Sequence, residues 1–355
     1  SPILIAIVLG LFLRNAVGLP ASYQPGLRLC LQFVLRIGVA LLGLRISLAA
    51  VGSIGAVALP VVLLSITTAL VVVAGVSRGL GLPPRLGTLI AVGTAICGNS
   101  AIIATAPAIA AREDEVSYAV GCVTLFGLVA LVTYPFVSHA VFAGDPQLAG
   151  LFLGTAIHDT AQVAGAGLLF MQQYGAPEAL DVATVTKLLR NLFMVVVVPG
   201  MAWLHHRSEA SDASLPRLSL RSAVPFFVLG FLALALVRTL GDLGDAPFGG
   251  LLDRATWEES IALGSKASAW CLTLAMAAVG LGTDLGRLRD LGARPLVAGL
   301  VAALAVGLVS AGAIHTFGHR FGSRWTKPEP PTSSPSSRSA SSDSRGSWAR
   351  WLAVS

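Results

Sequence analysis

Long apolar stretches separated by short polar segments dominate the hydrophobic pattern of this 355-residue chain. Stretches of about 18 or more apolar residues with few charges are typical of transmembrane helices. Lipid offers no hydrogen-bond partner to bare backbone, so such stretches must be helical or lie buried among helices. We therefore predict an all-α polytopic membrane protein with about ten transmembrane helices. The predicted spans are 3–13, 37–52, 56–76, 88–111, 116–142, 148–171, 182–204, 222–240, 261–283 and 295–317.

The C-terminal part of the chain departs from this pattern. Residues 326–347 are rich in Ser and Pro and lack the apolar side chains needed for a core. We predict a transmembrane transporter domain over 1–317, followed by a disordered Ser/Pro/Arg-rich tail over 318–355. The chain begins with Ser-Pro and not with Met, and we expect that an upstream helix is missing.

Composition narrows the function classes. Hydrophobic residues make up 55% of the chain and charged residues 12%, which excludes an ordinary soluble domain. The net charge of +6 comes mostly from short loops and the tail, so it does not indicate nucleic-acid binding. The four cysteines form no CxxC pair, and we predict neither a disulfide framework nor a metal site nor any cofactor. They are Cys30, Cys97, Cys122 and Cys271.

A Gly-rich polar segment, GTAICGNS at 93–100, interrupts one apolar span. Interrupted helices within a membrane expose N–H groups and a positive dipole end, which favour an anion. Close helix packing through small residues is the alternative explanation. The predicted substrate contacts here are Thr94, Cys97, Gly98, Asn99 and Ser100.

A second segment, GTAIHDTAQV at 154–163, begins with the same four residues. Such internal similarity favours a duplication, and secondary transporters are often built from repeats. His158 and Asp159 could form a proton relay if the helix unwinds there, because His titrates near neutral pH. A buried polar pair that fixes helix packing is the alternative. Thr155 and Gln162 complete the candidate contacts in this segment.

Deep cations form the third candidate group. A charged side chain at a helix centre costs about 2.5–3.5 kcal/mol, so such residues usually face a functional cavity. Lys187 and Arg190 are three residues apart on one helix face and could neutralise an anionic substrate. They could instead extend to the lipid headgroups. Arg45 is a further predicted functional cation and ranks above Lys266.

These motifs together resemble the YeiH-type family of bacterial membrane proteins, which are usually described as sulfate exporters. The resemblance covers about 1–317. Where this chain has Ile157-His158-Asp159-Thr160, the family usually has Ile-His-Glu-Val, so the acid is one methylene shorter. The matching segments are SPILIAIVLG, LRIGVALLGLRISL, GTAICGNSAIIA, VTLFGLVALVTYP, GTAIHDTAQVAGAG, ATVTKLLRN, PFFVLGFLAL and AMAAVGLGTDLGRLRDLGARPL.

The family is distantly similar to bile-acid symporters and cation–proton antiporters. The resemblance therefore implies two inverted repeats whose discontinuous helices cross at mid-membrane. It also implies a secondary transporter of the bacterial inner membrane, and sulfate as the cargo.

Three functional hypotheses follow. The first is a secondary active transporter that exports a small anion, such as sulfate or an organosulfonate, coupled to protons or sodium. The second is a cation/proton antiporter with Asp159 as the exchanging carboxylate. The third, an intramembrane enzyme at His158–Asp159, is disfavoured because neither an HExxH spacing nor a serine nucleophile elbow is present. The expected partners are the lipid bilayer, the anion and a coupling ion; homo-oligomerisation stays open.

Overall fold

The computed structural model describes residues 2–209, 226–244, 246–284, 286 and 292–322. Throughout this part of the chain the regular elements are helices, as predicted. Most of the predicted tail, residues 323–355, lies outside the described residues, as do 222–225 of one predicted span. Residues 318–322 belong to the last helix, which therefore extends five residues beyond the predicted end of its span.

The α-helices are numbered here in chain order, over the described residues. Short 3₁₀ or π segments link or extend several of them, including Leu13–Val17, Cys30–Val34 and Leu42–Arg45. The helices are α1 Pro2–Phe12, α2 Gln24–Leu29, α3 Leu35–Leu41, α4 Leu48–Gly79, α5 Pro84–Ala95, α6 Asn99–Thr105, α7 Glu113–Val141, α8 Pro146–Ala156, α9 Thr160–Tyr174, α10 Pro177–Leu192, α11 Met194–Glu209, α12 Phe226–Gly241, α13 Arg254–Gly282 and α14 Ala293–Gly322.

Five continuous helical segments are long and apolar enough to cross a membrane. A sixth candidate is the pair α10 and α11, which is bent by 40°. Three further apolar helices are shorter than a full span. The chain is thus an all-α polytopic membrane protein, while the number of about ten spans stays a prediction. The five segments are 24–45, 48–79, 113–141, 254–282 and 293–317.

The predicted spans 37–52 and 56–76 have wrong boundaries. The helical segment 24–45 ends at Arg45, because Ile46 adopts an extended conformation with φ −129° and ψ 134°. Ser47 then caps α4, since its hydroxyl accepts a hydrogen bond from the Ala50 backbone N–H at 3.3 Å. The helix that follows continues without interruption to residue 79.

Both GTAI segments end in a helix break. Helix α5 stops at Ile96, whose φ and ψ are −122° and −94°, and α6 begins after Gly98 with φ +67°. An L side chain rarely adopts that φ, so glycine is required there. Helix α8 stops before Ile157, and both Ile157 and Asp159 are extended. The predicted discontinuous helices are therefore present, whereas their inverted relation stays a prediction.

Two glycines on α8 allow α10 to pack unusually close. Gly150 and Gly154 are four residues apart, which is the small-xxx-small spacing of tightly packed membrane helices. A Cβ at Gly154 would lie 2.6 Å from the Thr186 Cβ and 2.8 Å from the Ala183 carbonyl oxygen. This close approach brings the C-terminal half of α10 next to the break that follows α8.

We predict that Gly154→Ala lowers the free energy of unfolding by about 1–3 kcal/mol, because the added methyl group overpacks the α8–α10 contact. Gly75→Ala on α4 is the matched control, since a Cβ at Gly75 would meet no atom within 4 Å. Thermal unfolding of both variants in detergent measures the difference. Equal midpoints would contradict the close packing.

Candidate functional site

The two helix breaks lie against each other. A Cβ at Gly98 would be 2.8 Å from Asp159 Oδ2 and 3.2 Å from the Asp159 Cα. Glycine at 98 is therefore needed twice, for its positive φ and for this contact. We call the region formed by 94–99 and 155–160 the crossing.

Lys187 binds the carbonyl groups at the crossing. Its Nζ donates to the Ile96 carbonyl at 2.7 Å and to the Ile157 carbonyl at 3.0 Å. It also donates to the His158 carbonyl. An ammonium group has three donors, so its hydrogen-bonding capacity is filled by backbone oxygens from both breaks.

Arg190, one turn further along α10, binds the adjacent carbonyls. Its Nε donates to the Ala95 carbonyl at 2.6 Å, and Nη2 donates to the Thr94 carbonyl. Its Nη1 donates to the Thr155 carbonyl at 2.6 Å and to the Ile157 carbonyl at 3.3 Å. The planar guanidinium group thus joins the end of α5 to the end of α8.

These two cations satisfy helix ends that lipid cannot satisfy. The last carbonyls of a helix have no intrahelical partner and carry the negative end of the helix dipole. Lys187 is 1% exposed and Arg190 is 0% exposed, so neither reaches the headgroups. The geometry also does not favour the predicted direct contact of these side chains with a substrate, because the three Lys187 donors and four of the five Arg190 N–H groups bind backbone carbonyls.

Asp159 is the acidic residue of the crossing. Its Oδ1 accepts a hydrogen bond from the Ala161 backbone N–H at 2.8 Å, which caps the N-terminus of α9. The Asn99 backbone N–H also interacts with this carboxylate. Unlike the two cations, Asp159 is partly exposed. It is therefore the charged group of the crossing that a solute can approach.

Polar residues of α6, α7 and α9 are linked by hydrogen bonds that start at Asn99, whose backbone N–H interacts with this carboxylate. The Asn99 side chain hydrogen-bonds the Thr124 hydroxyl, with Nδ2 at 3.2 Å. Gln162, three residues after Asp159 on α9, donates from Nε2 to the Thr124 carbonyl at 3.1 Å. Gly127 leaves room for this amide, because a Cβ there would lie 1.9 Å from Gln162 Oε1. We call Asn99, Thr124, Asp159 and Gln162 the polar ring.

The polar ring also leaves an acceptor without a partner. Gln162 is 3% exposed, and its Oε1 accepts no hydrogen bond from the described part of the chain. The amide cannot be turned over, because Oε1 would then face the Thr124 carbonyl oxygen. A buried amide oxygen without a donor is costly, and this one lies against Gly127 of α7.

Thr124 and Asn191 belong to this region but were not among the predicted site residues. Asn191 donates from Nδ2 to the Thr160 hydroxyl at 3.1 Å, beside Asp159. Both residues lie within segments quoted for the family resemblance, VTLFGLVALVTYP and ATVTKLLRN. Thr124 is a single polar residue in an apolar helix and Asn191 directly follows Arg190, and neither pattern indicates a direction.

Several other predicted residues lie at or near the crossing. The Thr94 and Thr155 carbonyls bind Arg190, and the Cys97 sulfur lies 3.8 Å from the Met194 sulfur. Ser100 is exposed. His158 is 1% exposed, and its Nδ1 makes no hydrogen bond to a described residue.

Arg45 and Lys266 do not share the hydrogen bonds of the crossing. Arg45 forms an ion pair with Asp181, with Nε 2.9 Å from the carboxylate oxygen Oδ1, near the start of α10. It therefore ties α10 to the end of the first long helical segment. Sequence reasoning missed Asp181 because it lies just before the predicted span 182–204. Lys266 is exposed on α13.

No group of three or more His, Cys, Asp or Glu side chains capable of holding a metal ion occurs among the described residues.

The fold and the crossing define a class: polytopic α-helical membrane proteins with a polar centre where two discontinuous helices meet. The family model described as "Conserved hypothetical protein 698" matches residues 1–299. The chain belongs to this family.

Curated relatives carry the name UPF0324 membrane protein. The chain is 33% identical to one from Nitratidesulfovibrio vulgaris over 86% of this chain and 82% of the relative. It is 34% identical to one from Pseudomonas putida, over 90% and 85%. A relative from Agrobacterium fabrum is 32% identical, over 88% and 83%. The resemblance to the YeiH-type family is thereby confirmed. No solved structure matches at a significant level.

We predict that Arg190→Ala destabilises the fold by at least about 3 kcal/mol, because it leaves several buried carbonyls without donors. Arg190→Lys should be intermediate, since an ammonium group keeps the charge but cannot span both helix ends. Thermal unfolding in detergent measures both, with the exposed Arg78→Ala as control. If Arg190→Ala is as stable as the wild type, the Arg190 side chain is not what holds the helix ends.

Proposed function

We propose that this protein is a secondary active transporter of the bacterial cytoplasmic membrane and that the crossing is its transport site for a small anion. The observation that carries the proposal is the balance of charges at the two helix breaks. Lys187, Arg190 and one carboxylate, Asp159, all lie at the crossing, and these three side chains together carry an excess of one positive charge when ionised. Uncompensated charge at such depth is costly, and a bound anion would offset it.

The arrangement supports an electrostatic role for the cations without direct contact. Their donors hold the carbonyl ends of α5 and α8, while their charge acts across the crossing. In a medium of low dielectric constant, charge is effective over several ångströms. The anion would therefore bind on the Asp159 side, against the N-terminus of α9 and the partly exposed Asn99 and Thr124.

Asp159 is the proposed coupling group. Protonation of its carboxylate would add a further positive charge to the crossing and so strengthen anion binding. Release of the proton from Asp159 would weaken anion binding again, which links anion movement to a pH gradient. The proposed cycle includes no covalent step and assigns no catalytic residue. Sulfate and organosulfonates enter as candidate cargoes through the family resemblance.

Transport in proteoliposomes tests this proposal. We expect an imposed pH gradient to accelerate the flux of at least one of labelled sulfate, phosphate and nitrate in the wild type. Asp159→Asn should retain anion exchange and lose the dependence on the gradient, because its side chain still caps α9 but does not titrate. Glu113→Gln, at the exposed start of α7, is the matched control. Absence of flux for every anion under any pH or sodium gradient would sink the proposal.

A cation/proton antiporter is the second candidate, and a specific observation favours it. Asn191 Oδ1 and Gln162 Oε1 are buried amide oxygens that accept no hydrogen bond from a described residue. Gln162 lies three residues after Asp159 in the sequence, and Asn191 contacts Thr160, the residue next to Asp159. Neutral oxygens with one carboxylate suit a hard cation.

Sodium binding distinguishes the two candidates. For the antiporter, calorimetry on the purified protein would show sodium binding that competes with protons and disappears in Asp159→Asn. For the anion transporter, the same variant would retain anion binding, and sodium would produce no Asp159-dependent heat.

A further inference from the structure

A row of polar side chains runs along the outer face of the helical segment 24–45. Arg28, Gln32 and Arg36 follow one another at intervals of four residues, and all three are exposed. Residues at this interval lie on one face of a helix. The π-helical turn Cys30–Val34 keeps them closely aligned, because a wider turn reduces the rotation between residues four apart. We call Arg28, Gln32 and Arg36 the arginine row.

The arginine row extends from one edge of the membrane to its middle. Segment 24–45 has 22 residues, which is about the length that crosses the hydrocarbon core. Arg28 lies about one turn from the start of this span, and Arg36 lies near its centre. Neither arginine forms a hydrogen bond or an ion pair with a residue that the structure describes. An exposed arginine at the depth of Arg36 therefore faces lipid, where an uncompensated charge is costly.

Helix geometry directs the deeper arginine toward the shallower one. Helical side chains lean toward the N-terminus of their helix, which in this segment is the end that carries Arg28. The long apolar stem of Arg36 allows its guanidinium group to extend in that direction, past Gln32. The three side chains therefore offer their donors within a single leaflet of the membrane.

We propose that the arginine row binds the phosphate headgroup of an anionic phospholipid, with the two guanidinium groups and the Gln32 amide as donors. The row carries two positive charges, and segment 24–45 contains no carboxylate, so its complement is an anion. A free anion does not enter hydrocarbon, whereas a phospholipid brings acyl chains with it. Leu29 and Phe33, each 60% exposed on the same segment, provide an apolar surface for these chains.

A second copy of the chain fits this surface less well. In a two-fold symmetric dimer the same surface of both subunits meets, so the arginine rows would approach each other. Two pairs of like charges would then lie in a medium of low dielectric constant, without a carboxylate from segment 24–45 between them. An anionic lipid neutralises the row without this repulsion.

Native mass spectrometry of the purified full chain tests the proposal. The protein is mixed in detergent with equal amounts of phosphatidylglycerol and phosphatidylcholine that have identical acyl chains, so only the headgroups differ. Each basic residue near the membrane surface should favour an anionic lipid by roughly fivefold. Because the row contains two arginines, we expect the wild type to bind phosphatidylglycerol at least about tenfold more tightly than phosphatidylcholine.

Variants of the row locate the binding site. Arg36→Gln should lower the preference about fivefold, whereas Arg36→Lys should keep most of it because an ammonium group retains the charge. The double variant Arg28→Gln/Arg36→Gln should bind the two lipids within about twofold of each other. These substitutions lie on an exposed face and remove charge from lipid, so we expect the variants to fold. Arg78→Gln is the matched control and should keep the wild-type preference, since no other basic residue lies within the preceding two turns of α4.

Three results would overturn the proposal. The first is equal binding of the two lipids to the wild type, or an unchanged preference in the double variant. The second is displacement of phosphatidylglycerol by inorganic phosphate, which would indicate a site for a free anion. The third is a dimer mass that becomes monomeric in Arg36→Gln, which would show that a second copy covers the row.

Discussion

Everything at the centre of this protein depends on the backbone carbonyls left unpaired where α5 and α8 end inside the membrane-embedded part of the chain. Lipid has no donor for them, and a helix break there would be prohibitively costly without compensation. Lys187 and Arg190 supply that compensation from a single face of α10. The breaks and the two cations are therefore one feature, since neither is stable in this environment without the other.

This dependence divides the crossing into two sides with different properties. The carbonyl side is closed, because its cations are buried and most of their donors bind backbone carbonyls. Asp159, Asn99 and Thr124 are partly exposed, whereas Gln162, whose amide oxygen has no donor among the described residues, is buried. The fixed charges thus set the electrostatic potential, while the neutral amides, hydroxyls and the carboxylate are the groups that can contact a solute.

The close packing of α8 and α10 connects this chemistry to the sequence. Gly150 and Gly154 bring the α10 backbone within van der Waals contact of α8. Residues 187 and 190 lie at most two turns further along α10 than Ala183 and Thr186, which pack on Gly154, so both cations reach the carbonyls of two breaks. The tight contact and the charged site are consequences of the same helix pairing.

Much of this was accessible from the sequence. The long apolar stretches predicted the all-α membrane class, because only helices satisfy their own backbone in lipid. The two GTAI segments predicted where the helices are interrupted. The cost of deep charge singled out six candidates, of which Asp159, His158, Lys187 and Arg190 lie at the crossing and Arg45 and Lys266 do not. Span boundaries were less accessible, as at Ile46 and Ser47, where a local turn and cap decide the helix end and hydropathy does not change.

By itself, therefore, the sequence determined the environment, the helical class and the identity of the costly polar residues. Only the tertiary structure decided their roles. Lys187 and Arg190 bind carbonyls brought together from segments about 30 and 90 residues away along the chain. Thr124 joins the ring through contacts with two other helices. Arg45 pairs with Asp181 rather than with the crossing. Partners so distant in sequence are chosen by helix packing, which composition and spacing do not specify.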